Sequence, residues 1–115
     1  MTINTNRITG CVVFPDDTIR EGSHIVFRMT GFDTDANASA TIVPIPIKAP
    51  IGNDGLIDVD LWPNPEGVRY TLYAVTAEVY NGVKPVNVDL GMIEVPVSGG
   101  PFDLSDLLPI EDYTQ

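Results

Sequence analysis

Ten Gly and ten Pro punctuate a chain of only 115 residues. Proline removes a backbone donor and clashes with the preceding helical turn, so a chain broken up this often cannot sustain long helices. From Ile8 to Val97 no helical stripe can be drawn. Short β-branched and aromatic runs stand between turn-forming clusters instead, which is the pattern of an all-β domain.

The runs are short and mostly alternate. Ile8 to Phe14 ends in the turn-like Pro15-Asp16-Asp17-Thr18. In His24 to Thr30, Ile25, Phe27 and Met29 interleave with Val26, Arg28 and Thr30, so one face is buried and the other partly wet. Phe32 to Ser39 is small and polar and reads as a loop. Ala40 to Ile47 contains Pro44 and Pro46, which demote it to an edge strand or an irregular extended segment. Asn53-Asp54-Gly55 is a tight turn that opens Gly55 to Trp62, where Ile57, Val59 and Leu61 alternate with Asp58 and Asp60.

Arg69 to Tyr80 is apolar on both faces and predicts a central strand, followed by a turn at Asn81-Gly82. Val86 to Val95 carries Gly91, a bulge signal. Leu104 to Leu108 fits one helical turn, with Asp103 or Ser105 near its start. The sum is a single domain over residues 1–115: a six- to seven-stranded antiparallel β-sandwich of Ig-like or transthyretin-like type, with one short C-terminal helical turn. Residues 1–6 and 101–115 are expected to serve as docking tails.

Charge and residue inventory narrow the function. Six Lys and Arg against sixteen Asp and Glu give a formal net charge of −10. Nucleic acid and anionic membranes both call for cations, so neither is an expected partner; acidity of this kind favours solubility. No apolar stretch of signal-peptide length opens the chain, and we expect no export by such a signal. Cys11 and His24 are the only Cys and His, so zinc sites of the usual kinds cannot be built. Cys11, inside Cys11-Val12-Val13-Phe14, is expected to be a buried small hydrophobe, and His24 a strand-edge residue.

Asp33-Thr34-Asp35-Ala36-Asn37 begins like a calcium loop, but Ala38 and Pro44 stand where Gly and Glu belong, so solvated loop carboxylates are expected. Asp58 and Asp60 share a strand face, expected to be wet. No catalytic residue, metal site or cofactor follows from these patterns, and the chain is not expected to be an enzyme.

Leu61-Trp62-Pro63-Asn64-Pro65-Glu66-Gly67 is the most distinctive segment: Pro63 stops a strand, Asn64-Pro65 and Gly67 make a rigid turn, and Trp62 caps the core. Together with Asp54-Gly55-Leu56-Ile57, Tyr70, Ile93-Glu94-Val95-Pro96 and Leu104-Ser105-Asp106-Leu107-Leu108, it resembles the small β-sandwich modules at the particle-proximal ends of bacteriophage tail fibres and tailspikes. Gly10-Cys11-Val12-Val13-Phe14-Pro15-Asp16 and Ile25-Val26-Phe27 extend the resemblance over nearly the whole chain.

The resemblance implies a virion structural protein made in the host cytoplasm, present in multiple copies or as a homo-oligomer, and docked on capsid or tail proteins. Fibres of that kind continue into a shaft and tip, whereas this sequence stops at Gln115. A fibre adaptor or fibre-base module is therefore expected first and a capsid decoration protein second. The expected docking residues are Ile42, Val43, Ile45, Ile47 and Trp62, with Phe102, Leu104, Leu107 and Leu108 from the tail. A carbohydrate-binding module is the alternative from another class, with Trp62, Tyr70, Tyr73 and Tyr80 as stacking faces.

Overall fold

The computed structural model describes residues 3–16, 22–80 and 82–108. Within them the regular structure is mostly β, arranged as a sandwich-like stack of two sheets with a two-stranded ribbon. Sheet one has the order β6-β1-β9, from Leu56–Leu61, Asn6–Cys11 and Phe102–Asp103. Sheet two has the order β5-β2-β7-β8, from Ile47–Pro50, His24–Met29, Tyr73–Tyr80 and Pro85–Ile93. The ribbon pairs β3 (Asp33–Asp35) with β4 (Ala40–Ile42).

Alternation builds the core. Ile25, Phe27 and Met29 of β2 face inward, beside Tyr73, Val75 and Ala77 of β7 in register. Ile8 of β1 with Ile57 and Leu61 of β6 meets them from the other sheet. Each such fully buried aliphatic or aromatic side chain stabilises the fold by about 2–3 kcal/mol. The strand expected to be central, β7, lies between β2 and β8 with both edges paired; Tyr73, Val75 and Ala77 are buried on one face, and Ala74, Thr76 and Glu78 are half-buried on the other. The bulge falls at the predicted place. Val75 pairs with Gly91 and Thr76 with Asp89, so Leu90 is the extra residue. Gly91 turns to φ +106°, and its N–H is held by the Asp89 carboxylate at 2.9 Å. The helical turn α1 spans Leu104–Leu107, with Asp103 accepting the Ser105 N–H at 2.9 Å as its N-cap.

The structure corrects several expectations. Nine strands occur among the described residues, because the Pro-rich run divides into β4 and β5 while β3 and β9 are additional. One pairing is parallel: β9 runs alongside β1, with Phe102 opposite Ile8. The long fifth run begins at Tyr73, four residues later than its composition suggests, because residues 69–72 form an irregular loop. Cys11 is exposed. In β1 the inward positions are Ile8 and Gly10, so Thr9 and Cys11 point away from the core.

The ends are not free tails where they are described. Ile3 packs on the core, Asn4 bonds Glu66 at 2.9 Å and Asn6 bonds the Pro96 carbonyl at 2.9 Å. Phe102 and Asp103 lie in a sheet, and Leu104 is buried in the core. Residues 1–2 and 109–115 of the expected tails lie outside the described residues, as do Asp17, Thr18 and Asn81 of the expected turns.

Candidate docking surface

The ribbon end is organised by two carboxylates. Spaced two apart on β3, Asp33 and Asp35 project to the same side, and both are buried, with 0 % and 1 % of their surface exposed. Asp33 Oδ1 accepts the N–H groups of Thr34 (2.8 Å), Val68 (3.0 Å) and Arg69 (3.1 Å), while Oδ2 accepts the Thr71 hydroxyl at 2.7 Å. Burial pushes the Asp33 carboxyl up, but the Thr71 hydroxyl and the three backbone donors outweigh it, and the group sits below the usual carboxylate range.

Asp35 Oδ2 accepts the Trp62 indole N–H at 2.8 Å, and Oδ1 accepts the N–H groups of Asn37 (2.9 Å) and Ala38 (2.8 Å), which closes the β3–β4 turn. The indole donor and then the Ala38 amide hold Asp35 below its usual range. These residues were expected to be solvated. They are buried because the fold brings enough donors to satisfy them, and a buried carboxylate persists only on that condition. Asp33 and Asp35 belong to no group of three or more His, Cys, Asp or Glu placed to hold a metal among the described residues.

Gly67 completes this end. It forms a single antiparallel bridge with Asp35, and a Cβ placed on it would land on the Asp33 carboxyl group. Its φ of −95° is ordinary, so the requirement for glycine comes from close approach and not from backbone conformation. Tyr73 donates its hydroxyl to the Trp62 carbonyl at 2.9 Å, and burial pushes its phenol up. Trp62 is thus tied to the body at both its indole and its carbonyl.

Beside this rigid end lies a groove of about 340 Å³ where the two sheets part. Segment 42–47 forms one rim, with Ile3, Thr5 and Asp60 opposite and Trp62, Met29 and Tyr73 toward the core. Val43 and Ile45 are 60 % and 64 % exposed, and Ile47 is also exposed. Pro44 and Pro46 keep ladder hydrogen bonds from forming here; the segment's own tie is Ile45 N–H to the Val43 carbonyl at 2.8 Å. Among the described residues β5 is an edge strand of its sheet, and its outer edge continues from this rim.

The structure therefore gathers Ile42, Val43, Ile45, Ile47 and Trp62 around one groove, with Ile42 half-buried against the core. Trp62 is buried, so it stands toward the core and not as an exposed anchor. The C-terminal group does not join them. Leu104 is a core residue, since α1 packs it under β1, and Phe102, Leu107 and Leu108 are half-buried against the same core. Leu104 and Leu108 border a separate crevice with Cys11, Val12, Val13 and Leu90.

Of the expected stacking aromatics, Trp62 and Tyr73 are buried, Tyr80 is partly exposed and Tyr70 is open to solvent. Asp58 forms a two-point pair with Arg7 (2.8 and 2.7 Å) on the exposed sheet face. Ile3, Met29 and Asp60 were missed as groove residues. The β1–β6 register supplies the link, since Asn6 pairs with Leu61 and so brings Thr5 beside Trp62. Comparison with protein-family models and with curated proteins gives no match to this chain.

Proposed function

We propose that this chain is a bacteriophage virion structural protein that docks onto other particle proteins through the groove bordered by Ile42, Val43, Ile45 and Ile47. One observation carries the docking reading: large aliphatic side chains stay exposed along a groove whose far wall is already core, next to an open strand edge. Exposed apolar residues gathered over a concavity mark interaction sites, and an open edge offers backbone groups for a partner to pair. The virion assignment draws on the resemblance of the turn and strand segments to particle-proximal fibre modules. A fibre adaptor or fibre-base module is the favoured role, and a capsid decoration protein the second.

The test is incorporation. Purified particles carrying the wild-type chain should contain it by mass spectrometry, and Val43→Asp with Ile45→Asp should abolish incorporation while leaving the isolated protein folded. Copy number per particle then separates the roles, few for the tail and many for the shell. A wild-type chain absent from particles would end the virion reading, and unchanged incorporation of the double variant would end the groove reading.

A further inference from the structure

The loop between the 3₁₀ turn (Asn64–Glu66) and β7 presents an aromatic side chain in an unusual way. Tyr70 has φ +57°, in the left-handed region, and its side chain is 94 % exposed. A left-handed conformation costs a non-glycine residue about 1 kcal/mol or more and persists only where the surroundings enforce it. The enforcement is visible on both sides, since Asp33 holds the N–H groups of Val68 and Arg69 before Tyr70 and the Thr71 hydroxyl after it. The ring lies almost wholly in solvent, so the backbone clamped around it presents it outward.

Next to Tyr70 lies a cleft of about 300 Å³, at the lower end of small-ligand sites. Thr71, Leu72, Gly67, Asn64, Pro65 and Glu94 complete its wall. Asn64 is buried, and its Oδ1 accepts the Val95 N–H at 2.8 Å. Its Nδ2 is the one buried side-chain polar atom without a partner among the described residues. An orphan of this kind costs about 1–3 kcal/mol, and it sits in the residue that backs the cleft.

From the aromatic face and the carboxylate acceptor brought together at one small cleft lined by Asn64, we propose that the Tyr70 cleft binds a single neutral pyranose ring. The apolar C–H face of the sugar stacks on Tyr70, and its hydroxyls donate to Glu94. Glu94 and a formal net charge of −10 disfavour acidic sugars. This site is separate from the groove used for docking and stands or falls independently of it.

The experiment is an amide NMR titration of the whole chain with methyl glycosides of glucose, galactose, mannose and N-acetylglucosamine, and with sialyllactose as the acidic probe. At least one neutral glycoside should give saturable shifts at Leu72, Glu94 and the Asn64 side chain, with millimolar affinity; sialyllactose should give none. Tyr70→Gly suits the left-handed backbone and keeps the fold, and it should weaken binding about tenfold or more, whereas Tyr70→Phe should stay within about twofold. No saturable shift with any neutral glycoside would overturn the proposal, as would equal affinity in Tyr70→Gly. If Tyr70→Gly lowers incorporation into particles while no sugar binds, the ring belongs to protein docking and the sugar site is refuted.

Discussion

Segments 33–40 and 42–47 are neighbours in sequence and opposites in structure. The first carries two carboxylates that are buried; the second carries aliphatic side chains that lie largely on the surface. Asp33 and Asp35 are nearly inaccessible while Val43 and Ile45 are more than half exposed. Residue type alone would assign them the other way round. What differs is the supply of backbone and side-chain partners. The carboxylates are met by donors from the Thr34–Ala38 turn, Trp62 and the 68–71 loop, whereas Pro44 and Pro46 deny segment 42–47 a full ladder. Burial follows satisfied hydrogen bonds in the first segment, and the adjoining segment, without a full ladder, leaves its aliphatic side chains exposed.

The contrast can be broken most severely at Asp33. Asp33→Ala leaves the Thr71 hydroxyl and the Val68 and Arg69 N–H groups without an acceptor, and should cost roughly 3–5 kcal/mol in chemical denaturation. A loss within the range of an ordinary surface substitution would show that the carboxylate does not organise this end. Gly67→Ala follows, at about 2–3 kcal/mol, because the added methyl displaces the Asp33 carboxyl.

Acid should then act on the polar end through its two buried carboxylates. Both carboxyls titrate below their ordinary value of about 3.9. The stability they contribute is fully present above that pH and is lost as pH falls through their folded values. Thermal unfolding should be level from neutral pH to about 5 and decline below about 4, with a shallower decline in Asp33→Asn. The smallest effect belongs to segment 42–47. Val43→Ser and Ile45→Ser should move stability by no more than about 0.5 kcal/mol each. A larger loss would mean that these side chains pack internally, and would erase the contrast.

The strands with strict alternation were legible. Ile25, Phe27 and Met29, and Ile57 and Leu61, point inward as a period of two requires. Gly91 marked its bulge, and Asp103 its cap, through local chemistry. Asp33 and Asp35 were misread because the donors that bury them are distant in sequence: Trp62 lies 27 residues from Asp35, and Thr71 lies 38 from Asp33. Their two-residue spacing did contain the hint that both face one way. Cys11 was misread because an unbroken apolar run was taken as wholly buried, although β1 alternates up to its last residue. Four of the groove residues on segment 42–47 were named from sequence, but the opposite rim could not be, since it depends on the β1–β6 register. The clamp on Tyr70 was invisible for the same reason.

The two-residue strand Phe102–Asp103 lies against β1, near the other end of the chain. The hydrogen bond from the Thr9 hydroxyl to the Phe102 carbonyl spans 93 residues, so this edge of sheet one closes through a contact of high sequence separation, the kind that slows folding. Until that contact forms, β1 is paired on one side alone, by β6.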